Sequence, residues 1–122
     1  YLFRKKKVEI NDTDKDYQVM YWRKANQIRG WFDRNIEGGV ENVTEKPVNR
    51  QLLQHLVYDC QKVLDDHSLA SEILPTSSGF FFGGTEFDDF YFADLNETVI
   101  GLAKIIEETD WKEEEVFYYE WW

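Results

Sequence analysis

Two long stripes of apolar residues, spaced every three or four positions, constrain the fold most strongly. The first lies within residues 53–64 and the second within residues 87–106. This spacing places side chains on one face of an α-helix, where they can pack against a common core. We therefore predict helices over residues 49–64, with Asn49 as the N-cap, and over residues 86–108.

A third stripe predicts an earlier helix over residues 14–36. We expect Asp12 or Thr13 to cap it, and the turn at Gly38 and Gly39 to end it. Its apolar positions recur every three or four residues and are Tyr17, Tyr21, Ala25, Ile28, Phe32 and Ile36. A short helical turn through "LASEIL", capped by Ser68, is predicted before Pro75.

Both ends of the chain predict β-strands. Residues 5–10 alternate in polarity, and the tail "EEEVFYYEWW" is rich in aromatic residues that favour strands. Pairing the two would set lysines opposite glutamates. We therefore expect an α+β fold in which three main helices pack around one core, with a small sheet formed by the N- and C-terminal strands. At 122 residues, the chain fits a single compact domain over 1–122.

Charge is distributed unevenly along the chain. Residues 1–85 hold 12 basic and 12 acidic side chains, whereas residues 86–122 hold 12 acidic residues against only Lys104 and Lys112. An acidic surface attracts basic protein surfaces and repels nucleic acid and anionic membranes. The segments "RKKK" and "YWRKANQIRGWF" mix basic and aromatic residues, but the acidic tail favours charge complementarity within the molecule over nucleic-acid binding.

The sequence predicts no metal or cofactor site. Cys60, His55 and His67 do not have the spacing of a zinc site, and Cys60 falls on a helical stripe that would bury it. The segment "DTDKD" resembles the start of a calcium loop but lacks its glycine and final glutamate. No segment is long and apolar enough for a signal peptide or membrane span, so we expect a cytoplasmic protein without membrane contact.

The loop "SGFFFGG" places Phe80, Phe81 and Phe82 between glycines. It lacks the Gly-Lys-Ser/Thr of a phosphate-binding loop, and the helix that follows begins with carboxylates that would repel phosphate. We favour an interpretation in which the phenylalanines plug the core. The alternative is a recognition surface, because loop aromatics often anchor interfaces.

Carboxylates near the start of the last helix could pair for acid–base chemistry or bind a metal ion. They are Asp88, Asp89, Asp94 and Glu97, and Asp94 and Glu97 share a helix face. The sequence arranges no histidine, lysine or nucleophile with them. A solvated acidic face is the simpler interpretation, and an enzyme is the least favoured class.

Two motifs resemble a family of small, mostly uncharacterised phage and prophage proteins. They are "YWRKANQIRGWF" at residues 21–32 and "LDDHSLASEILPTSSGFFFGGTEFDDFYFADL" at residues 64–95, together with the aromatic C-terminus. The chain departs from the family pattern near Arg29, where histidine or lysine is usual, and at Phe87, where tyrosine is usual. The resemblance implies a mobile-element origin and the cytoplasm of a bacterial host, and it carries no catalytic residues.

These observations favour a phage- or prophage-encoded binding protein whose partner has a basic surface. The most specific hypothesis is an antagonist of a nuclease-based defence, similar to an anti-CRISPR protein, whose acidic surface imitates the phosphates of nucleic acid. The alternatives are a small-ligand or nucleotide-binding pocket protein and a phage structural or assembly accessory. The candidate binding residues are Phe80, Phe81, Phe82, Glu86, Asp88, Asp89, Glu107, Glu108, Asp110, Glu113, Glu114 and Glu115.

Overall fold

The computed structural model describes residues 2–6, 17–22, 25–36, 38–40, 46–76 and 86–118. The helices are α1 (Asn26–Asn35), α2 (Arg50–Asp65), α3 (Ala70–Ile73) and α4 (Asp89–Glu108), and a 3-10 turn covers His67–Leu69. The strands are β1 (Leu2–Lys6), β2 (Tyr17–Met20), β3 (Lys46–Val48) and β4 (Glu114–Tyr118). The predicted α+β class, with helices around a core and a sheet that includes both terminal strands, is confirmed.

The strands form one antiparallel sheet in the order β2-β1-β4-β3. β1 and β4 are central, with Leu2 opposite Tyr118 and Lys5 opposite Glu115. Leu2, Val116 and Tyr118 are buried, and alternation along a strand places the latter two on the same face. One face of the sheet therefore supports the helices. β2 and β3 extend the predicted two-stranded sheet on either side.

The prediction of one helix over residues 14–36 is wrong in its first half. Tyr17–Met20 pairs with β1 as a strand, and α1 begins only at Asn26, after Ala25 at the N-cap position. A residue spacing of four fits both a helix face and a strand face, so Tyr17 and Tyr21 satisfied the helical pattern without being helical. The suggested caps Asp12 and Thr13 lie outside the described residues.

The second predicted helix is confirmed with its cap, and the last predicted helix begins later than expected. The Asn49 side chain accepts a hydrogen bond from the Leu52 amide at 2.7 Å. α4 starts at Asp89 because the Asp88 side chain accepts from the Tyr91 amide at 3.1 Å and is itself the N-cap.

Two smaller boundaries also differ from prediction. The helical turn predicted through "LASEIL" is α3, whose N-cap position is Leu69, with no side-chain cap, and not Ser68. The 3-10 turn before it is capped by Asp66, whose carboxylate accepts hydrogen bonds from the Ser68 amide and hydroxyl at 3.1 and 2.6 Å. The first strand covers Leu2–Lys6 and so begins before the predicted start at Lys5, because its pairing with β4 begins at Leu2. Residues 7–10 lie outside the described part of the chain.

The core lies between the sheet and the helices. α2 and α4 pack as antiparallel neighbours, and their buried side chains include Leu53, Leu56, Leu95 and Leu102. An aromatic layer from α1 adjoins the sheet at Tyr118. In it, the Phe32 ring lies 5.4 Å from that of Trp31 and 4.4 Å from that of Tyr118.

Glycine permits two close approaches that define this packing. Gly39 has φ +74°, and an added Cβ would lie 2.7 Å from Asp33 Oδ1, whose carboxylate accepts the Val40 amide. An added Cβ at Gly101 would lie 2.6 Å from Met20 Sδ. The absence of a side chain at Gly101 thus leaves room for Met20 and lets α4 pack closely against β2.

Candidate functional site

The sequence-predicted acidic residues fall into two separate groups at the ends of α4. Glu86, Asp88 and Asp89 lie at its N-terminus, whereas the second group lies in its last turn and in the residues after it. A helix of 20 residues is about 30 Å long, so one small ligand cannot contact both groups. The members of the second group are Glu107, Glu108, Asp110, Glu113, Glu114 and Glu115.

Part of the C-terminal group serves the fold itself. Glu114 Oε2 lies 3.6 Å from Arg4 Nε, and Glu114 Oε1 accepts the Asp110 amide at 2.9 Å. Arg4 also donates to Thr109 Oγ1 at 3.3 Å, which connects β1 to the end of α4. Asp110 Oδ1 accepts the Lys112 amide at 3.2 Å and shapes the turn before β4. Glu114 and Asp110 are therefore structural, while Glu107, Glu108 and Glu113 are exposed.

At the other end, the start of α4 lies beside the segment that follows α2. Tyr91 Oη donates a buried hydrogen bond of 2.7 Å to the Leu74 carbonyl, and the His67 ring stacks on Phe92 at 3.7 Å. These contacts bring acidic residues from two parts of the chain to one end of the molecule, which we call the acidic pole. Its exposed members are Asp65, Asp66, Glu72, Glu86, Asp88 and Asp89.

The acidic pole has a sequence signature that the count over residues 86–122 concealed. No lysine or arginine occurs between Lys62 and Lys104, a stretch that also includes Asp94 and Glu97. This segment therefore adds no lysine or arginine to the pole, and a cation that the fold brings close to it is Arg34 of α1, which donates to the Ile73 carbonyl at 3.5 Å. A count over residues 63–103 would have identified this signal from sequence alone.

Members of the pole differ in what they do for the fold. Asp88 caps α4 and Asp66 caps the 3-10 turn, and the Ser68 hydrogen bonds lower the pKa of Asp66. Asp65 accepts from Gln61 Nε2 at 2.9 Å. No hydrogen bond or ion pair joins the side chains of the remaining members to other described residues. Those members, Glu72, Glu86 and Asp89, contribute charge without an evident structural role.

Aromatic residues stand exposed within the pole. Phe90, in the first turn of α4, is 82% exposed, and Phe87 is 42% exposed with its ring edge-to-face on Tyr91 at 5.0 Å. Phe90 is not part of the apolar stripe that predicted this helix, so its exposure could be predicted from the periodicity. The residues of that stripe are Phe87, Tyr91, Leu95, Val99, Leu102 and Ile106. The candidate residues Phe80, Phe81 and Phe82 lie outside the described residues, and both interpretations of that loop stay predictions.

A polar group lies one turn further along α4. Trp22 Nε1 donates to Thr98 Oγ1 at 2.8 Å, and the Thr98 hydroxyl donates to the Asp94 carbonyl at 2.7 Å. Thr98 is fully buried, and burial raises the pKa of the half-buried Asp94. Glu97, which the sequence placed beside it, is exposed. These hydrogen bonds connect Trp22, in the segment between β2 and α1, to α4, which is a structural role.

A cleft of about 680 Å³ opens at the opposite end, between β3 and the start of α2. His55 lines it, held by Asp59, whose Oδ2 lies 3.2 Å from His55 Nε2 and accepts Trp31 Nε1 at 2.7 Å. Among the described residues that line the cleft there is no serine, threonine or cysteine beside this histidine. The residues are Asn35, Ile36, Lys46, Pro47, Asn49, Gln51, Leu52 and His55.

Other chemistry finds little support in the part of the chain that the structure describes. There, no three or more histidine, cysteine, aspartate or glutamate side chains are grouped as a metal site would require. Cys60 is buried on α2 as predicted, and burial raises the pKa of its thiol to about 12. None of the helices that the structure describes is long and apolar enough to span a membrane.

Comparison of the chain with protein-family models, with curated proteins and with solved structures finds no match. The surface feature that distinguishes this molecule is the contrast between the acidic pole and the rest of the described residues.

Proposed function

We propose that this chain is a phage- or prophage-encoded accessory protein that binds a basic surface of another protein through its acidic pole. The single observation that supports this is the convergence of six exposed carboxylates from two chain segments, Asp65–Glu72 and Glu86–Asp89, in a stretch without lysine or arginine. The negative electrostatic field of these carboxylates steers a basic partner toward the pole and raises the rate of association.

The partner class that fits this charge best is an enzyme that acts on nucleic acid. A nuclease attracts phosphates with a basic cleft, and a dense set of carboxylates competes for the same cleft. In the cytoplasm of a bacterial host, the chain would then antagonise a nuclease-based defence. The carboxylates repel nucleic acid itself, so direct DNA or RNA binding is disfavoured.

The alternative explanations of the acidic surface and of the function have less support from the described residues. Exposed carboxylates also aid solubility without any partner. A pocket for a small ligand or nucleotide around Phe80–Phe82, and a role in virion structure or assembly, rest on no feature of the described residues.

The test compares two triple charge reversals of equal size. Asp65→Lys/Glu72→Lys/Glu86→Lys alters the pole but leaves the caps Asp66 and Asp88 and the first helical residue Asp89 unchanged. The control, Glu107→Lys/Glu108→Lys/Glu113→Lys, alters exposed carboxylates at the other end and leaves Glu114 with Arg4. Both change the net charge by the same amount, and circular dichroism verifies that both fold.

The readout is DNA cleavage by a panel of purified bacterial restriction and RNA-guided nucleases, titrated with each protein at low and moderate salt. We expect the parent and the control variant to inhibit at least one enzyme, with inhibition weakening as salt rises, and the pole variant to lose that inhibition. Equal inhibition by all three proteins, or equal loss in both variants, would show that the pole is not the binding surface. Failure of the parent to inhibit any nuclease would contradict the proposed target class.

A further inference from the structure

Phe90 is the most exposed large apolar side chain among the described residues. It is 82% exposed, although it lies in the first turn of the longest helix. Leaving a phenylalanine in water forfeits the favourable free energy that its burial would provide. A single exposed apolar residue is common on protein surfaces, so its neighbourhood decides whether Phe90 has a role.

The fold does not need Phe90. The apolar face of α4 is supplied by Tyr91, Leu95, Leu102 and Ile105, all of which are buried. The N-terminus of the helix is capped by Asp88 without its help. Phe90 thus contributes to neither the core nor the cap.

The immediate surroundings of Phe90 are acidic. Residues three and four positions apart are neighbours on a helix surface, which places Asp94 beside Phe90 after it, and the exposed Glu86 and Asp89 precede it. Interfaces commonly bury an aromatic residue at the centre and keep charged residues at the rim. The carboxylates next to Phe90 along the chain can form such a rim, and residues 63–103 contain no lysine or arginine.

We propose that Phe90 is the aromatic anchor of the acidic pole and that the partner presents an apolar patch flanked by lysine or arginine. This inference rests on the proposed function, since it specifies what the basic surface must contain. Charge complementarity selects this occupant. A second copy of the chain would bring one acidic pole against another, and like charges in contact oppose such a dimer.

The test uses a defined probe in place of an unknown partner. A synthetic peptide of leucine and lysine, patterned so that a helix has one leucine face flanked by lysines, is compared with a scrambled peptide of the same composition. Fluorescence anisotropy gives the Kd of each peptide for the parent and for Phe90→Ala. Ile100→Ala is the matched control, because Ile100 is 63% exposed on the same helix, about 15 Å from Phe90.

We expect the parent to bind the patterned peptide more tightly than the scrambled one, and Phe90→Ala to lose about tenfold in affinity for the patterned peptide alone. Ile100→Ala should stay within about twofold of the parent. If Phe90→Ala binds the patterned peptide with the parent's affinity, the proposal that Phe90 is an anchor is wrong. Sedimentation that changes from dimer to monomer in Phe90→Ala would also overturn it, in favour of self-association.

The charge variant separates this inference from the proposed function. If Asp65→Lys/Glu72→Lys/Glu86→Lys weakens binding of both peptides while Phe90→Ala weakens neither, the pole attracts basic partners and only the anchor is wrong. If that triple variant binds both peptides as the parent does, the proposed function fails.

Discussion

The two ends of α4 carry similar numbers of carboxylates but use them differently. At the C-terminal end, Glu114 contacts Arg4 and the Asp110 amide, and Asp110 in turn accepts the Lys112 amide. At the N-terminal end, no hydrogen bond or ion pair joins the Glu86 and Asp89 side chains to other described residues, and exposed Phe90 is next to Asp89 in the chain.

This contrast shows that a count of charges does not locate a binding surface. A carboxylate with a cationic partner in its own chain has much of its field cancelled, whereas one without a partner projects it into solvent. Glu114, which has a cationic partner, holds the sheet to the last helix. Glu72, Glu86 and Asp89 of the pole have no such partner among the described residues and are available to another molecule.

The largest expected effect on stability comes from comparing an alanine substitution at each end of α4. Glu114→Ala should lower the free energy of unfolding by about 2 kcal/mol, because it removes the ion-pair partner of the part-buried Arg4 guanidinium and the acceptor of the Asp110 amide. Glu86→Ala should change it by less than about 0.5 kcal/mol. Urea unfolding followed by circular dichroism measures both. Equal effects at the two ends would remove the distinction between structural and unpartnered carboxylates.

A smaller effect separates two adjacent residues within the pole. Asp88→Ala removes the N-cap of α4 and should cost about 1 kcal/mol. Asp89→Ala removes only a favourable interaction with the helix dipole and should cost about 0.5 kcal/mol or less. Thermal unfolding of the two variants in parallel gives the comparison. A larger loss for Asp89→Ala would mean that Asp89 has an internal role and is not free for a partner.

The smallest effect concerns how pH acts on two aspartates near the pole. Hydrogen bonds from Ser68 lower the pKa of Asp66, and burial raises that of Asp94. Above the unfolded-state value of about 3.9, ionised Asp66 therefore adds stability, which is lost as pH falls through its lowered pKa. Asp94 acts oppositely, and its ionisation reduces stability as pH rises from about 3.9 through its raised pKa.

Carbon-detected NMR titration should thus find Asp66 ionising at lower pH than Asp94. Asp94→Asn should raise the Tm more at pH 7 than at pH 3, because only at neutral pH does the parent carry the penalty of the half-buried charge. A gain that does not depend on pH would assign the effect of this substitution to packing.

The sequence predicted the parts of the fold in which local and tertiary signals agree. Residues 49–64 combine a continuous apolar stripe with Asn49, so both the helix and its cap were predictable. β2 was missed because Tyr17, Val19 and Tyr21 satisfy a strand as well as a helix, and only pairing with β1 decides between them. β3 was missed because three residues with Pro47 at the centre carry almost no strand signal.

The candidate site was less predictable, since it depends on which segments meet. The charge count grouped Glu86 with Glu115, but the length of α4 separates them. Asp65, Asp66 and Glu72 were missed because their approach to the start of α4 depends on the antiparallel packing of α2 and α4, which periodicity does not specify. The exposure of Phe90, by contrast, could be predicted from its position outside the apolar stripe alone.

The burial of Cys60 has an experimental consequence. A thiol with a pKa of about 12 is almost entirely protonated at neutral pH, and its full burial keeps reagents away. Modification of this cysteine therefore requires the packing of α2 against α4 to open. The rate of thiol labelling in the native protein would report how often the core opens, while a cysteine introduced on the surface would react at once.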